Sequence, residues 1–209
     1  MLEIIPTATM PNSNQSKTRS LLVDVARQLF AKNGVEDTTM NDIAISSKKG
    51  RRTLYTYFKS KEDIYLAVVQ TELDLLSEEM QKVAEKDIAP AEKIIELIYT
   101  RLETVKKVVY RNGTLKANFF RDIWKVEQCR KNFDNKSIIL YRNVLNEGVK
   151  KGIFFIENTH LVADIIHYCI KGIEVPYIKG QVGRGVSEEE SLPVVRKLVY
   201  GALGKKEII

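Results

Sequence analysis

The stretch that decides the fold is TTMNDIAISSKKGRRTLYTYFKSKED, residues 38–63. It holds two short segments with helical apolar spacing, separated by a turn rich in cations. The first, from Thr39 to Ser46, begins with a threonine three residues before an acid, a pattern that caps the start of a helix. The second, from Arg51 to Phe58, keeps its polar residues on one side. A helix, a short turn and a short polar-faced helix form a helix-turn-helix, whose second helix fits the major groove of DNA.

The two segments are predicted to pack through a small set of apolar residues. These residues are Ile43, Ala44, Leu54 and Phe58. Ser47 to Gly50 forms the turn, and we expect Gly50 to adopt a backbone shape that a residue with a Cβ resists. Ser60 to Asp63 repeats the capping pattern and begins a long helix over about residues 61–84.

Four motifs in this region resemble a known family. They are SLLVDVARQLFAKNGVEDTT (residues 20–39), TTMNDIA (38–44), TLYTYF (53–58) and KSKEDIY (59–65). In this order and spacing they are similar to the N-terminal domain of the TetR family of bacterial transcriptional regulators, over about residues 17–69. The resemblance implies an effector-responsive homodimer that binds a palindromic operator, with repression as the expected outcome. Where the family usually has a small-Gly-apolar-Ser turn, this chain has Ser47-Lys48-Lys49-Gly50, so we expect a more basic groove-facing surface.

The residue types around the turn suit contacts with DNA. Phosphate contacts need donors at the groove edge, and base readout needs side chains that point into the groove. We expect phosphate contacts from Thr39, Lys48, Lys49, Tyr55, Tyr57 and Lys61. Arg51, Arg52 and Thr53 are expected to read base edges, because an arginine there can form a bidentate pair with guanine. The resemblance implies the same roles for Thr39, Thr53, Tyr55 and Lys61, although Tyr55 also suits a place in the core.

The excess positive charge of the chain lies in this same region. Residues 16–61 contain ten lysines and arginines against four acids, an excess that equals the net charge of +6 for all 209 residues. Such asymmetry is expected when one end of a protein meets phosphate and the other does not. A solvated basic face is the ordinary alternative, and the helix-turn-helix in the same segment favours DNA.

The fold class is predicted to be all-α, with a three-helix DNA-binding domain joined by a long fourth helix to a larger helical domain. The predicted divisions are an N-terminal arm over residues 1–15, the helix-turn-helix domain over 16–62, and an effector-binding and dimerisation domain over 63–209. Helices are expected near residues 17–33, 90–110, 132–151 and 161–179, with another around 119–124 and a last one from either Glu188 or Leu192 to Leu203. Pro176 is expected to end or kink its helix.

Apolar residues of the later helices predict two further sites. An effector pocket is expected at Met80, Tyr99, Phe119, Phe120, Trp124 and Tyr141, with ordinary core as the open alternative. Surplus apolar faces on the last two helices predict a four-helix dimer interface, with intrachain core as its alternative. The interface residues are Ile166, Ile170, Ile173, Val195, Leu198, Val199 and Ala202.

One polar stripe was weighed as a metal site. His160, Asp164 and His167 lie at helical spacing and have side chains that suit zinc or another divalent metal, but local hydrogen bonding is the favoured interpretation. No cofactor is expected apart from an unidentified small-molecule effector.

The remaining features favour a cytoplasmic protein with no membrane partner. Cys129 and Cys169 lack the spacing of a disulfide framework. No apolar run approaches the ~20 residues of a membrane span, and the N-terminus lacks the pattern of a secretory signal. Met10 is a candidate second start site.

Three hypotheses follow, in order of preference. The first is an effector-responsive regulator, and the second is an architectural or effector-less DNA-binding protein whose C-terminal domain only dimerises. The third is an enzyme acting on an anionic substrate. The enzyme ranks last because the sequence contains no nucleophile–base motif and no cofactor loop.

Overall fold

The computed structural model describes residues 13–111 and 123–204, with the side chains of residues 14–109 and 128–204. The described residues form eight α-helices and no strand, so the all-α prediction is confirmed. The helices are α1 (Ser13–Asn33), α2 (Met40–Ser46), α3 (Arg51–Tyr57), α4 (Lys61–Ala84), α5 (Pro90–Arg111), α6 (Ile123–Lys150), α7 (Thr159–Ile178) and α8 (Glu188–Ala202). Within these residues, no helix is long and apolar enough to cross a membrane.

The chain divides into two compact units after Val68, and the first unit is the helix-turn-helix head. Its core contains Leu22, Val23, Ala26, Phe30, Ile43, Ala44, Leu54, Phe58, Ile64, Ala67 and Val68. The four residues predicted to be buried in the helix-turn-helix are all among them. The division lies beyond the predicted residue 62 because Ile64, Ala67 and Val68, on the first turns of α4, pack into the core of the head.

The turn between α2 and α3 differs from the prediction. Gly50 has an ordinary φ of −63°, whereas Lys48 has a φ of +54°. The N–H of Lys48 donates to the carbonyl of Ile45 (3.0 Å), and that of Lys49 donates to the carbonyl of Ala44 (3.1 Å). This pair of bonds is a Schellman motif, whose left-handed position is usually a glycine. The expectation for Gly50 was wrong because the end of α2, not the start of α3, requires the left-handed residue.

In the second unit, α5, α6 and α7 pack around one buried core, and α8 packs on α5. Helix α6 is continuous from Ile123 to Lys150, although the sequence analysis placed separate helices on either side of about residue 130. The residues from Ile123 to Glu147 contain no glycine or proline, so nothing interrupts the hydrogen-bond ladder.

The chain reverses after α6 by folding back over Gly148. The carbonyl of Gly148 accepts hydrogen bonds from the N–H groups of Ile153 (2.9 Å) and Phe154 (3.2 Å). The ring of Phe154 is buried against Gly148, where an added Cβ would overlap the ring. Gly152 closes α6 with a φ of +66°, as expected for a helix end. This reversal brings α7 back along α6.

The ends of α7 and α8 are set by local capping. Asn158 caps α7 through its side chain, and Ser187 caps α8 in a capping box with Glu190. Pro176, expected to end or kink α7, lies inside the last turn, and the helix continues to Ile178. A proline this close to the end removes only one ladder bond from the last turns, so the helix tolerates it.

Candidate DNA-binding surface and candidate effector site

The first turn of α3 presents two arginines to solvent. Arg51 and Arg52 are both exposed, and Thr53 beside them is half-buried. Burial of Leu54 and Phe58 fixes the opposite side of this short segment in the core of the head, which leaves the arginines on the outside. Two guanidinium groups on the exposed turn of a short helix can reach base edges in a major groove.

Two lysines of the turn stand beside these arginines. Lys48 is exposed and Lys49 is half-buried, and together with Arg51 and Arg52 they form a surface that we call the basic face. Tyr55 remains 39% exposed, which leaves its hydroxyl on the outer side of α3. Tyr57, in contrast, is half-buried and packs against the core of the head.

Thr39 has an internal role in the start of α2. Its hydroxyl donates to Oδ2 of Asp42 (2.7 Å) and accepts from the N–H of Asp42 (3.2 Å), while the N–H of Thr39 donates to the same carboxylate (2.8 Å). These hydrogen bonds hold the pKa of Asp42 below its ordinary value. Because the capping box already uses the hydroxyl, a phosphate at Thr39 has to compete with Asp42 for its proton.

Lys61 fastens the loop between α1 and α2. Its Nζ donates to the carbonyls of Val35 (2.6 Å) and Glu36 (2.9 Å), residues that follow the end of α1. An ammonium group has three donors, so two of them serve this loop. The sequence pattern alone does not reveal this structural role, because Val35 and Glu36 are distant from Lys61 in sequence.

Charged residues from three helices meet inside the second unit. We call them the Arg101 cluster: Arg101 of α5, Arg130, Asp134 and Tyr141 of α6, and His167, Lys171 and Glu174 of α7. The guanidinium of Arg101 is 0% exposed, and its Nε donates to Oε1 of Glu174 (2.7 Å). Nη2 of Arg130 donates to Oε2 of Glu174 (2.6 Å), so one carboxylate holds two arginines. The Arg101 guanidinium also lies over the ring of Phe133, 5.0 Å from its centroid.

The position of the proton on His167 follows from its partners. Its Nδ1 lies 3.2 Å from Nη1 of Arg101, and since arginine can only donate, Nδ1 accepts. In the neutral ring the proton is then on Nε2, which faces Oδ1 of Asp134 at 3.5 Å. Burial, and next the charge of Arg101, lower the pKa of His167 to about 4, so the ring is neutral at physiological pH.

The cluster is incompletely satisfied. Lys171 donates to Oδ2 of Asp134 (2.7 Å), but Oδ1 has no hydrogen-bond partner. Nη2 of Arg101, Nε2 of His167 and the hydroxyl of Tyr141 are also buried without such a partner among the described residues. A buried polar atom without a hydrogen-bond partner lowers the stability of the folded state by about 1–3 kcal/mol. Buried polar atoms in folded proteins nearly always have a hydrogen-bond partner, so four such atoms without one in a single cluster require an explanation.

Only some of the residues predicted for the effector pocket have described side chains. Met80 and Tyr141 are fully buried and belong to the same apolar core, whereas Tyr99 is half-buried and shares a hydrogen bond with Ser191 of α8 (2.7 Å). Phe119, Phe120 and the side chain of Trp124 lie outside the described residues. Of the predicted pocket residues whose side chains are described, only Tyr141 belongs to the Arg101 cluster.

Sequence reasoning missed the charged members of the cluster, although a signal for them exists. Arg101 falls in the apolar stripe of α5, between Leu97 and Val105, and Glu174 follows Ile170 on the stripe of α7. A charge at a core position of an amphipathic helix requires a buried partner. Each residue therefore indicated an internal ion pair, but neither indicated its partner.

The metal hypothesis for α7 is contradicted by the arrangement of its residues. Nδ1 of His160 lies at the surface, 3.1 Å from Nη1 of Arg142, while His167 is buried and faces Arg101. In the part of the chain whose side chains are described, no group of three or more His, Cys, Asp or Glu residues lies close enough to hold a metal. The stripe is split because α7 buries one of its ends and exposes the other.

The residues predicted for the dimer interface divide between core and surface. Ile170 is 4% exposed and lies in the core, so its place in the interface was wrong. Ile166 and Val199 are half-buried and pack against that core, and Val195 is half-buried as well. Ile173, Leu198 and Ala202 are exposed. Other exposed apolar residues accompany them on the same helices: Leu161, Ile165, Tyr168 and Val194.

Comparisons with known proteins agree with this architecture. The family described as "Bacterial regulatory proteins, tetR family" matches residues 22–68. Over 155 residues the chain is 26% identical to the HTH-type transcriptional regulator QacR of Staphylococcus aureus, covering 73% of this chain and 81% of QacR. Over 147 residues it is 28% identical to the HTH-type transcriptional repressor KstR2 of Mycolicibacterium smegmatis, covering 68% of this chain and 70% of KstR2.

Solved structures share the fold over most of the chain. A transcriptional regulator from Cytophaga hutchinsonii has a TM-score of 0.69 and 22% identity, covering 88% of this chain and 95% of its own. The regulator FadR from Bacillus subtilis, solved in complex with stearoyl-CoA, has a TM-score of 0.61 and 17% identity, covering 88% and 96%. The head, residues 22–68, thus matches the family model of the tetR bacterial regulatory proteins, the curated relatives are HTH-type regulators of transcription, and the solved structures share the fold over most of the chain.

Proposed function

We propose that this protein is a homodimeric repressor that binds a palindromic operator through α3 and releases it when a small molecule binds in the second unit. The observation that carries the proposal is the exposed pair Arg51 and Arg52 on the first turn of α3. Each guanidinium can pair with O6 and N7 of a guanine, and each such pair discriminates against a wrong base by about 1–3 kcal/mol. We therefore expect guanines in each half-site.

The rest of the head positions this helix on the duplex. Lys48 and Lys49 add positive charge beside the arginines, and Tyr55 offers a hydroxyl on the same exposed side. Contacts of this kind go to phosphates, fix the register of the protein and make binding sensitive to salt. Thr39 and Lys61 are proposed to contact phosphates as well while they hold the shape of the head, since both have internal partners.

A second copy of the chain is the proposed partner of α7 and α8. The exposed apolar residues of these helices include Leu198, which is 68% exposed, together with Leu161, Ile165, Tyr168 and Val194. A helix-turn-helix head reads few base pairs, and two heads about 34–36 Å apart enter successive major grooves. A two-fold dimer through these helices supplies the second head and covers the apolar residues.

Helix α4 is the proposed link between effector and DNA. Its first turns contribute Ile64 and Val68 to the core of the head, and its later turns contribute Leu76 and Met80 to the core of the second unit. An effector that displaces the later turns changes the separation of the two α3 helices and so lowers operator affinity. By linkage, DNA weakens effector binding by the same factor. The stearoyl-CoA bound by FadR of Bacillus subtilis supports the idea that this fold can hold a small molecule.

The test is selection from a random duplex library at two salt concentrations, with Arg52→Ala beside the parent. We expect a palindrome whose preference relaxes at one position of each half-site in the variant. The matched control is Arg184→Ala, which removes the same charge from an exposed loop of the second unit. The control should recover the parent's palindrome unchanged.

Two outcomes contradict the proposal in different ways. Salt-sensitive binding without any enriched sequence, unaffected by Arg52→Ala, indicates an architectural protein that contacts phosphates only. If a single half-site is enriched and one chain binds it at a time, base readout by α3 is supported but the proposed dimer is contradicted. Sedimentation of the protein with the recovered duplex distinguishes one bound copy from two.

A further inference from the structure

Three buried polar atoms of the Arg101 cluster lie close together without hydrogen bonds. Oδ1 of Asp134 lies 3.6 Å from Nη2 of Arg101 and 3.5 Å from Nε2 of His167. Both distances exceed a good hydrogen bond, and all three atoms are buried without a partner among the described residues. An oxygen that lies to one side of all three atoms, and not between any two of them, can be within hydrogen-bonding distance of each.

The roles of the three atoms define the group that fits there. Nη2 of Arg101 can only donate, and Nε2 of His167 carries the ring proton because Nδ1 accepts from Arg101. Oδ1 of Asp134 can only accept while the carboxylate is ionised. A group that satisfies all three atoms therefore accepts one hydrogen bond from Arg101 and one from His167, and it donates one to Asp134. A hydroxyl oxygen meets this requirement, since it has two lone pairs and one proton.

The charges of the cluster argue against the alternatives. A cation at this point would meet the guanidinium of Arg101 and the proton on Nε2 of His167, and neither of these donors can ligate it. A carboxylate cannot donate to Oδ1 of Asp134, and it would place a like charge within about 3 Å of that oxygen. The donors of Arg101 and His167 do not remove the repulsion between this carboxylate and that of Asp134.

We propose that the effector of this regulator carries a neutral hydroxyl group that binds between Arg101, Asp134 and His167. The inference rests on the proposed function, because it assigns the effector to this cluster in the second unit. The hydroxyl of Tyr141, which is buried within the electrostatic influence of Arg101 and Glu174, has no hydrogen-bond partner either. Apolar residues of the surrounding core, including Phe133 and Met80, suit a ligand whose remaining surface is apolar.

Ion pairs within the cluster orient the atoms of the proposed site. Glu174 fixes the guanidinium of Arg101 through Nε, which leaves Nη2 directed at Asp134. Lys171 fixes Asp134 through Oδ2, which leaves Oδ1 available. These ion pairs orient the donors and the acceptor before the ligand arrives, so little ordering remains to be done on binding. The effector then joins α5, α6 and α7 through one oxygen.

The experiment uses two matched sets of probes with the full-length protein. One set is 1-octanol, octanoate and octylamine, and the other is 2-naphthalenemethanol, 2-naphthoate and 2-naphthylmethylamine. Within a set the apolar part is almost constant and only the head group changes. Binding is measured by the shift of the thermal unfolding midpoint, and release of the selected operator by fluorescence anisotropy. We expect the alcohols to bind about tenfold or more tightly than the acid and the amine of the same set.

Asp134→Asn provides the specificity test. An amide in place of the carboxylate removes the like charge and can present N–H to an anion, so the preference should shift from the alcohol toward the carboxylate by about tenfold. The control is Asp74→Asn, which makes the same change at an exposed residue of α4 and should leave the preference unchanged. Circular dichroism confirms folding, and His167→Gln is a second variant whose amide can still donate.

The outcomes separate this inference from the proposed function. Binding of the acid or the amine in preference to the alcohol, with release of the operator, retains an effector-responsive repressor but overturns the hydroxyl assignment. Alcohol binding that neither Asp134→Asn nor His167→Gln alters overturns the site. Failure of every probe in a protein that still binds its operator indicates that the cluster holds water only, which overturns the inference as well.

Discussion

The two units place their charges in opposite ways. The head buries no charged side chain among its described residues, and the cations of its basic face lie toward solvent. The second unit carries charges inside, with Arg101 and Glu174 buried among apolar residues. The capping box of α2 joins residues three positions apart, whereas Arg101 and Glu174 come from different helices.

This difference indicates what each unit has to recognise. DNA is a polyanion met at a surface, so the head needs exposed cations, and solvent screens each of them. A small molecule enclosed in a helical unit has to find its polar partners already inside. Buried charges are costly unless they are paired, so the removal of one member should affect the second unit far more than the removal of a surface cation affects the head.

The largest effect is expected for Glu174→Ala. The variant leaves the guanidinium groups of Arg101 and Arg130 without the carboxylate they share, and we expect the unfolding free energy to fall by about 3–5 kcal/mol. Urea denaturation followed by the fluorescence of Trp124, the chain's single tryptophan, measures this change. Glu79→Ala is the control, because Glu79 pairs with Lys82 at the surface and its loss should alter stability little. Equal effects for the two variants would contradict a structural role for the cluster.

The charged interior was also the part that the sequence revealed least. Most of the helix-turn-helix could be predicted, because its capping residues, the apolar residues that join α2 to α3 and its exposed cations lie within one short stretch. Leu54 and Phe58 are buried where the spacing placed them, and Arg51 and Arg52 are exposed. In this region local pattern and tertiary structure agree.

The second unit depends on pairings between residues distant in sequence. Ile170 was assigned to an interface because its helix is apolar on several sides, and periodicity alone does not tell which side meets the core. Arg101 and Glu174 are 73 positions apart, so no local pattern joins them. Lys48 shows the same limit within the head, since its left-handed backbone follows from the way α2 ends and not from its residue type.

A pH-dependent loss of stability should come from His167. Its pKa in the folded protein is about 4, below its ordinary value of 6.5, so between these values the unfolded state binds a proton that the folded state does not. Stability should therefore fall as the pH decreases from 6.5 toward 4, by roughly 2–3 kcal/mol, since one pKa unit corresponds to about 1.4 kcal/mol. His167→Gln should remove this part of the slope, which denaturation of both proteins across that range measures. Parallel curves for the two proteins would show that His167 titrates normally.

An intermediate effect is expected for Gly148→Ala. The new Cβ would overlap the buried ring of Phe154, and overpacking of this kind costs about 1–3 kcal/mol. Gly201→Ala in α8 is the matched control, because a Cβ there meets open space and alanine favours a helix by about 1 kcal/mol over glycine. Thermal unfolding of both variants gives opposite shifts if the close approach of Phe154 to α6 is correct. A neutral Gly148→Ala would mean that Phe154 packs elsewhere.

The smallest effect is expected for Lys48→Gly in the head. Glycine adopts the left-handed conformation of Lys48 without the steric cost of a Cβ, so we expect a gain of about 0.5–1 kcal/mol in unfolding free energy. The same change removes a cation of the basic face, so operator affinity and its salt dependence should both decrease. Chemical denaturation and binding at several salt concentrations measure the two effects separately.

Lys49→Gly is the control that separates backbone from charge. Lys49 lies next to Lys48 and carries the same charge, but its φ is not positive, so glycine there relieves no strain. The control should bind DNA more weakly and also lose some stability, whereas Lys48→Gly should bind more weakly while it gains stability. A loss of stability in both variants would mean that the head tolerates Lys48 without strain. The opposite signs would instead show that this head gives up backbone stability to keep a cation at the edge of the recognition helix.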